Sequence, residues 1–341
     1  MPFRTAILSV AAVLPENVVE SAAIEELLSP VLARLTYPKG IMVGLTGIRE
    51  RRLWDPGVTP SAAAILAGRK ALEKSGLSPD RLGCLVSTSV SKDYLEPSVA
   101  SLVHHGLGLS PHCVNFDVGN ACLGFLDGIN TVSMMIETGR IRSGMVVAGE
   151  SSREPLENTV RMLLEPGVTA QVFQDNFATL TLGSGAAAMI LTREDLAFGR
   201  PVIEGSVSLA ATEHCRLCLG HRDRMTADAP MVMKHGVKLA HDTWKKAESA
   251  IDVWGDGSID LYVPHQVSAR NMLVLTRTLG LTADKAALNF QYLGNIGPAA
   301  IPITLALSED DGRFAPGMRA ALLGIGSGLN CSMMSLYWPV S

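Results

Sequence analysis

Aromatic side chains are scarce here, 5% of 341 residues against 47% hydrophobic residues overall. That makes an aromatic-cored β-sandwich a poor fit, whereas an Ala-, Val-, Leu- and Gly-rich balance suits helices layered on sheets. An excess of one charge is missing too: the net charge is −4, and Lys and Arg are scattered without a basic stripe, which argues against nucleic acid as a partner. No apolar run approaches the roughly 20 residues that span a bilayer, and Met1–Thr5 lack the charged-then-apolar pattern of a secretory signal. Of six cysteines only Cys215 and Cys218 are closely spaced, so there is no disulfide framework. The expectation is a soluble, cytoplasmic protein with no membrane span, long enough for two core-forming units.

What is present alternates. Apolar strand-like runs fall at 6–13, 84–90, 114–118, 145–148, 186–191, 202–209, 259–263, 320–325 and 331–337. Helical stretches lie between them, at 59–75, 97–107, 123–138, 231–250, 268–279 and 298–307. This predicts α/β layers with largely parallel pairing. The halves also echo each other. Gly119-Asn120, Gly139-Arg140 and Gly144-Met145 recur as Gly294-Asn295, Gly312-Arg313 and Gly317-Met318, at offsets 294 − 119 = 175, 312 − 139 = 173 and 317 − 144 = 173. A duplicated βαβ-containing unit explains offsets close to half the chain. We expect an N-terminal half over 1–195 and a C-terminal half over 196–341. The mixed stretch at about 154–180, broken by Pro155, Pro166 and Gly167, reads as an inserted cap.

Cys122 is the most informative residue. It lies between an apolar run, 113–118, that reads as a buried strand and the helix that starts at Leu123. A thiol facing the free N–H groups of a helix's first turn is favoured as thiolate, the nucleophilic form; a buried cysteine can equally be an ordinary small hydrophobe. Three further features stand at strand ends or turns: His265 in Val263-Pro264-His265-Gln266, Asn295 in Gly294-Asn295-Ile296-Gly297, and the loop Gly324-Ile325-Gly326-Ser327-Gly328. Thiol, imidazole, amide and glycine-rich N–H donors together form an acyl-transfer apparatus with a nucleophile, a polariser and an oxyanion hole.

Asn120-Ala121-Cys122, His265-Gln266 and Gly294-Asn295-Ile296-Gly297 resemble the Cys-His-Asn sites of the thiolase superfamily, in its ketoacyl-ACP synthase III branch. The spacing 295 − 265 = 30 agrees, and Thr46-Gly47-Ile48-Arg49-Glu50-Arg51-Arg52 and Gly326-Ser327-Gly328 fall where that branch has similar motifs. Within it, residues 89–98 and 324–332 look most like the head-to-head acyl-CoA condensing thiolase of bacterial long-chain olefin biosynthesis. The resemblance spans essentially the whole chain. It implies a thiolase fold, two βαβαβ-type halves in a five-layered αβαβα arrangement, with no cofactor, because coenzyme A enters and leaves as part of the substrate. It implies Cys122, His265 and Asn295 as catalytic residues, with the N–H of Cys122 and one from Gly326, Ser327 or Gly328 facing the oxyanion. In that subfamily the glutamate matching Glu96 crosses a dimer interface into the partner's site and acts as a base, so the resemblance also implies a homodimer. The activity implied is a non-decarboxylative Claisen condensation of two long-chain acyl-CoA thioesters through an acyl-Cys122 intermediate, feeding downstream pathway enzymes.

The synthase III branch grips adenine with an aromatic and an arginine just before its Thr-Gly-Ile; here Ile41 and Leu45 stand there, so the carrier, CoA or acyl carrier protein, stays open. Arg49, Arg51 and Arg52 are candidates for carrier phosphates or for solvated surface. The alternatives are a decarboxylative synthase III using a malonyl thioester, a non-catalytic thiolase-fold subunit that scaffolds an active partner, and a heterodimer in which this chain supplies either the nucleophile or Glu96. Cys and His between His214 and His221 have zinc-like spacing, but no metal site is expected, since four converging ligands are needed. Gly149-Glu150-Ser151-Ser152-Arg153 is not a serine-hydrolase elbow, because Arg153 replaces its second glycine.

Overall fold

The computed structural model describes residues 4–254, 257 and 259–340. Met1–Phe3, part of the stretch read as lacking a signal pattern, lie outside them. The strands in chain order are β1 (Thr5–Val13), β2 (Asn17–Glu20), β3 (Glu50–Leu53), β4 (Cys84–Ser87), β5 (Val114–Asp117), β6 (Ser143–Glu150) and β7 (Gly185–Arg193). There follow β8 (Val202–Ala210), β9 (Cys218–Gly220), β10 (Met225–Ala227), β11 (Leu261–Pro264), β12 (Arg319–Gly326) and β13 (Asn330–Tyr337). Nine of them form one sheet in the order β11-β12-β13-β8-β1-β7-β6-β4-β5, while β2–β3 and β9–β10 form separate two-stranded antiparallel sheets.

The duplication is visible in this order. On one side β1 pairs antiparallel with β7, β7 antiparallel with β6, and β6 parallel with β4. On the other, β8 pairs antiparallel with β13, β13 antiparallel with β12, and β12 parallel with β11. The two series meet where β1 touches β8 through the single pair Ala6–Val202.

Side-chain alternation builds five layers from this sheet, because successive residues of a strand face opposite sides. Ala187, Met189 and Leu191 of β7, and Val146 and Ala148 of β6, face a central core. Leu261 and Val263 of β11, Ala320 and Leu322 of β12, and Met334 and Leu336 of β13 face that same core from the far side. Helices Gly124–Glu137 and Ala300–Asp310 lie between, and eight of the latter's eleven residues are buried. The intervening residues, Ala186, Ala188 and Ile190 on one half and Tyr262, Ala321 and Met333 on the other, meet two outer cores. Helix Pro60–Ser75 covers the first and Ala229–Ala250 the second.

Capping sets where the outer helices begin. The Thr59 hydroxyl accepts from the Ala62 N–H with Pro60 at the first helical position, and Ser268 accepts from Asn271 N–H ahead of Ala269–Leu279; such a cap contributes about 1 kcal/mol. The stretch expected as an insertion contains helices Arg153–Leu163 and Ala170–Asn176. Their Leu156, Leu163 and Phe173 share a core with Ile24, Leu28, Ile41 and Met42. Two expectations need correction. Pairing read as largely parallel is mostly antiparallel, with five of the eight strand pairs described in the large sheet antiparallel and three parallel. And β5, read as a buried strand, is an edge strand in this chain, with Val114 48% exposed. Its alternation of Asn115 and Asp117 with apolar residues is the pattern of a one-sided strand.

Candidate active site

The carboxyl ends of β5, β11, β12 and β6 deliver the residues of interest. Leaving β5, the chain bends through Ala121, a non-glycine residue at φ 45°. Cys122 follows, and Leu123 N–H bonds back to Asn120 O at 2.9 Å before helix Gly124–Glu137 begins. A side chain forced into the left-handed region stores strain that surrounding contacts must hold. Gly326, at the end of β12, lies against this turn: a Cβ there would sit 3.2 Å from Cys122 N and 3.5 Å from Cys122 Cβ. A Cβ at that distance would press on the turn, so the missing side chain lets the two backbones approach closely. The structure therefore brings Cys122 and Gly326 together.

His265 follows β11, with its N–H donating to Leu323 O at 2.8 Å one strand away. Its ring is buried, and among the described residues Nδ1 has no partner. Burial pulls its pKa down to about 4, so near neutral pH the imidazole is uncharged, with one nitrogen to donate and one to accept. The neighbouring Gln266 anchors this turn: its Oε1 accepts from Asn289 and Phe290 N–H, and its Nε2 donates to Ala287 O. Asn295 is held by its backbone, N–H to Thr181 O and C=O from Gly183 N–H, both 2.9 Å. Its Oδ1 accepts from Gly297 N–H at 3.0 Å, which leaves Nδ2 as the end able to donate.

Cys122 departs from the sequence expectation. It sits before the first helical turn, and burial, assisted by Cys218 and the Glu150 carboxylate, pushes its thiol up to about 12. Desolvation outweighs the helix terminus, so the resting group is a neutral thiol. Glu150 itself escaped the sequence reading, which weighed its peptide only as a hydrolase elbow. It ends β6, whose eight residues are all buried, and burial raises its carboxyl to about 7. Its oxygens accept from Val90 N–H at 2.8 Å, Ser91 N–H at 3.1 Å and Ser91 Oγ at 2.9 Å. A Cβ on Gly297 would lie 3.9 Å from its carboxyl carbon, so Glu150 borders the Asn295 turn. An acid closing an otherwise apolar strand was the available signal.

The other expected residues lie apart. Glu96 is exposed beside Leu95, which is 90% exposed, on a loop that projects from the body. Among the described residues no hydrogen bond or ion pair joins it to Cys122. Arg51 requires correction as a phosphate ligand. It is fully buried, donating to Leu180 O at 3.0 Å and Val19 O at 3.5 Å, and burial lowers its pKa to about 10. Arg52 is half-buried and donates to Pro15 O. Arg49 alone of the three has an exposed side chain. Ile41 is buried and Leu45 is 53% exposed. In the segment with zinc-like spacing, the His214 ring lies 3.6 Å from that of His235, and no group of three or more potential ligands converges among the described residues.

A duplicated α/β sheet with a cysteine and an imidazole following strand ends, and an amide on a neighbouring turn, defines a thiolase-fold condensing enzyme. Family models for 3-oxoacyl-[acyl-carrier-protein] synthase III match residues 116–203, and its C-terminal part residues 253–338. The chain is 42% identical over 318 residues to an acyl-CoA:acyl-CoA alkyltransferase of Xanthomonas campestris pv. campestris, covering 93% of this chain and 94% of that one. It is 38% identical over 348 residues to the enzyme of that description in Shewanella oneidensis, covering 98% and 99%. A crystal structure of a Cys-to-Ser variant of Xanthomonas campestris OleA with bound lauric acid and lauroyl-CoA superimposes with a TM-score of 0.97 at 40% identity, covering 99% of this chain and all of that one. The chain belongs to the OleA-type acyl-CoA:acyl-CoA alkyltransferase family of the thiolase superfamily. Among the described residues no helix is long and apolar enough to cross a membrane.

Proposed function

We propose that this protein joins two long-chain fatty acyl-CoA thioesters head to head by a non-decarboxylative Claisen condensation, as a cytoplasmic homodimer. The carrying observation is the contact of Gly326 with Cys122, which sets a second backbone turn against the nucleophile's own N–H. Cys122 sulfur attacks the first thioester carbonyl; the new C–S bond forms as the C–S bond to coenzyme A breaks, and the thiol proton leaves with the CoA thiol. Uncharged His265 keeps a ring nitrogen that can accept that proton in transit. The N–H of Cys122 and one from Gly326–Gly328 would stabilise the oxyanion, a donor being worth about 3 kcal/mol.

In the second stage Glu96 of one subunit takes the α-proton of a second acyl-CoA in the other's site, while His265 and Asn295 hydrogen-bond its enolate oxygen. The α-carbon bonds to the acyl carbonyl, the bond to Cys122 sulfur breaks, and the sulfur recovers a proton from Glu96. A β-ketoacyl-CoA results. The projecting Tyr94-Leu95-Glu96 tip supports delivery to a partner. In structures of the Xanthomonas protein the substituted glutamate and cysteine stand 26 positions apart, as Glu96 and Cys122 do (122 − 96 = 26). Six free cysteines fit a reducing compartment. Exposed Arg49 and half-buried Arg52 remain candidates for a CoA phosphate, and the stretch at about 154–180 is the candidate cap.

Intact-protein mass spectrometry with long-chain acyl-CoA tests this reading. The wild type should gain one acyl mass on Cys122, and Glu96→Ala should gain the same adduct yet form no β-keto product. No adduct in the wild type, or normal condensation by Glu96→Ala, would overturn it.

A further inference from the structure

Three polar side chains near the nucleophile have no part in the steps above. Asn120, two residues before Cys122, donates from Nδ2 to Asp127 Oδ2 at 2.6 Å, and its Oδ1 accepts from Asn330 Nδ2 at 3.0 Å. Asp127 belongs to the helix that follows the nucleophile. Asn330 opens β13 and pairs with Gly326 across the turn that holds Ser327 and Gly328. A single amide thus spans from the helix that carries the cysteine to the turn that carries the second set of N–H donors.

This bridge borders solvent-accessible space: an open pocket of about 180 Å³, lined by Asn120, Asp127, Ser208 and Asn330 among others, lies beside it. One of the turns it joins is strained, with the non-glycine Ala121 at φ 45°, while Gly328 holds φ 131° in the other as only glycine readily does. A strained turn beside an open pocket needs a fixed cross-link to keep its distance from the turn it faces.

We propose that Asp127, Asn120 and Asn330 form a clamp of positioning residues that sets the distance between the Cys122 and Gly326–Gly328 N–H groups, and so the fit of the oxyanion hole. The proposal rests on the assignment of Cys122 as nucleophile. An oxyanion is stabilised only by donors aimed at where its charge develops, so a small increase in spacing is costly.

The test compares two reactions of one thiol: acylation by a long-chain acyl-CoA, which builds an oxyanion, and alkylation by iodoacetamide, which does not. Asn330→Ala should slow acyl-adduct formation about 10- to 100-fold while alkylation stays within about twofold. Asp127→Asn keeps an acceptor oxygen and should acylate near the wild-type rate, whereas Asp127→Ala should behave like Asn330→Ala. In a clamp acting as one unit, Asn120→Ala with Asn330→Ala should cost no more than either alone. Normal acylation by Asn330→Ala, an equal fall in acylation and alkylation, or additive losses would each overturn the clamp. If the wild type forms no adduct, the nucleophile assignment fails instead.

Discussion

At the residue scale, chemistry and burial pull against each other. A helix terminus favours thiolate, yet burial holds Cys122 as a thiol with a pKa of about 12, so the proton must leave during attack. We therefore expect the iodoacetamide rate of the free enzyme to climb about tenfold per pH unit from 7 to 10 without a plateau. A plateau near pH 7 would mean a preformed thiolate. Residue types were legible in the sequence where function needs a particular group: Cys122, His265 and Asn295 stand at strand ends and turns that apolar runs and glycines announce. Solvent exposure was not legible. Arg49, Arg51 and Arg52 are consecutive or nearly so, yet they range from exposed to fully buried: Arg49 precedes β3, and within β3 alternation turns Arg51 into the core and Arg52 away from it.

The loop from Thr88 to Ser98 shows what an element adds. Glu150 holds its start; the Asp93 carboxylate accepts from Ser61 N–H and Oγ; and Lys92 pairs with Asp117, which also accepts from Val99 and Ala100 N–H. Between these anchors Tyr94, Leu95 and Glu96 project. The Glu150 carboxyl titrates near 7 when folded and near 4.5 otherwise. The folded state therefore binds the additional proton between those values, and stability falls as pH rises through that window. His265 acts in the opposite sense, since a folded pKa near 4 against 6.5 means stability lost as pH falls from 6.5. A comparison with Glu150→Gln cancels the histidine. Urea unfolding from pH 4.5 to 8 should show the wild type losing about 2 to 3 kcal/mol relative to the variant; parallel profiles would refute a buried, titrating Glu150.

Over the whole molecule, the nine runs read as strands are the nine strands of the large sheet. Central strands buried on both faces produce long apolar runs, and those are visible without a structure. The two-stranded pairs β2–β3 and β9–β10 were not, because their strands are three or four residues long and partly exposed. The role of the β5 edge and of the projecting loop also depends on what covers them, which one chain's sequence does not state. If Glu96 serves the partner's site, inactive Cys122→Ala and Glu96→Ala chains should complement when mixed. Half the dimers would be mixed, each with one complete site of two, restoring about a quarter of wild-type activity. No recovery, with exchange verified, would place Glu96 in its own subunit's site.

The most direct test of the central claim is isotopic. The enzyme is given only a long-chain acyl-CoA labelled with carbon-13 at its carbonyl, with no malonyl thioester, and the product is read by mass spectrometry. The account predicts a β-ketoacyl-CoA that carries both labelled carbons, with no carbon dioxide released in forming it. An acyl-enzyme that yields product only when a malonyl thioester is added, with loss of carbon dioxide, would contradict it.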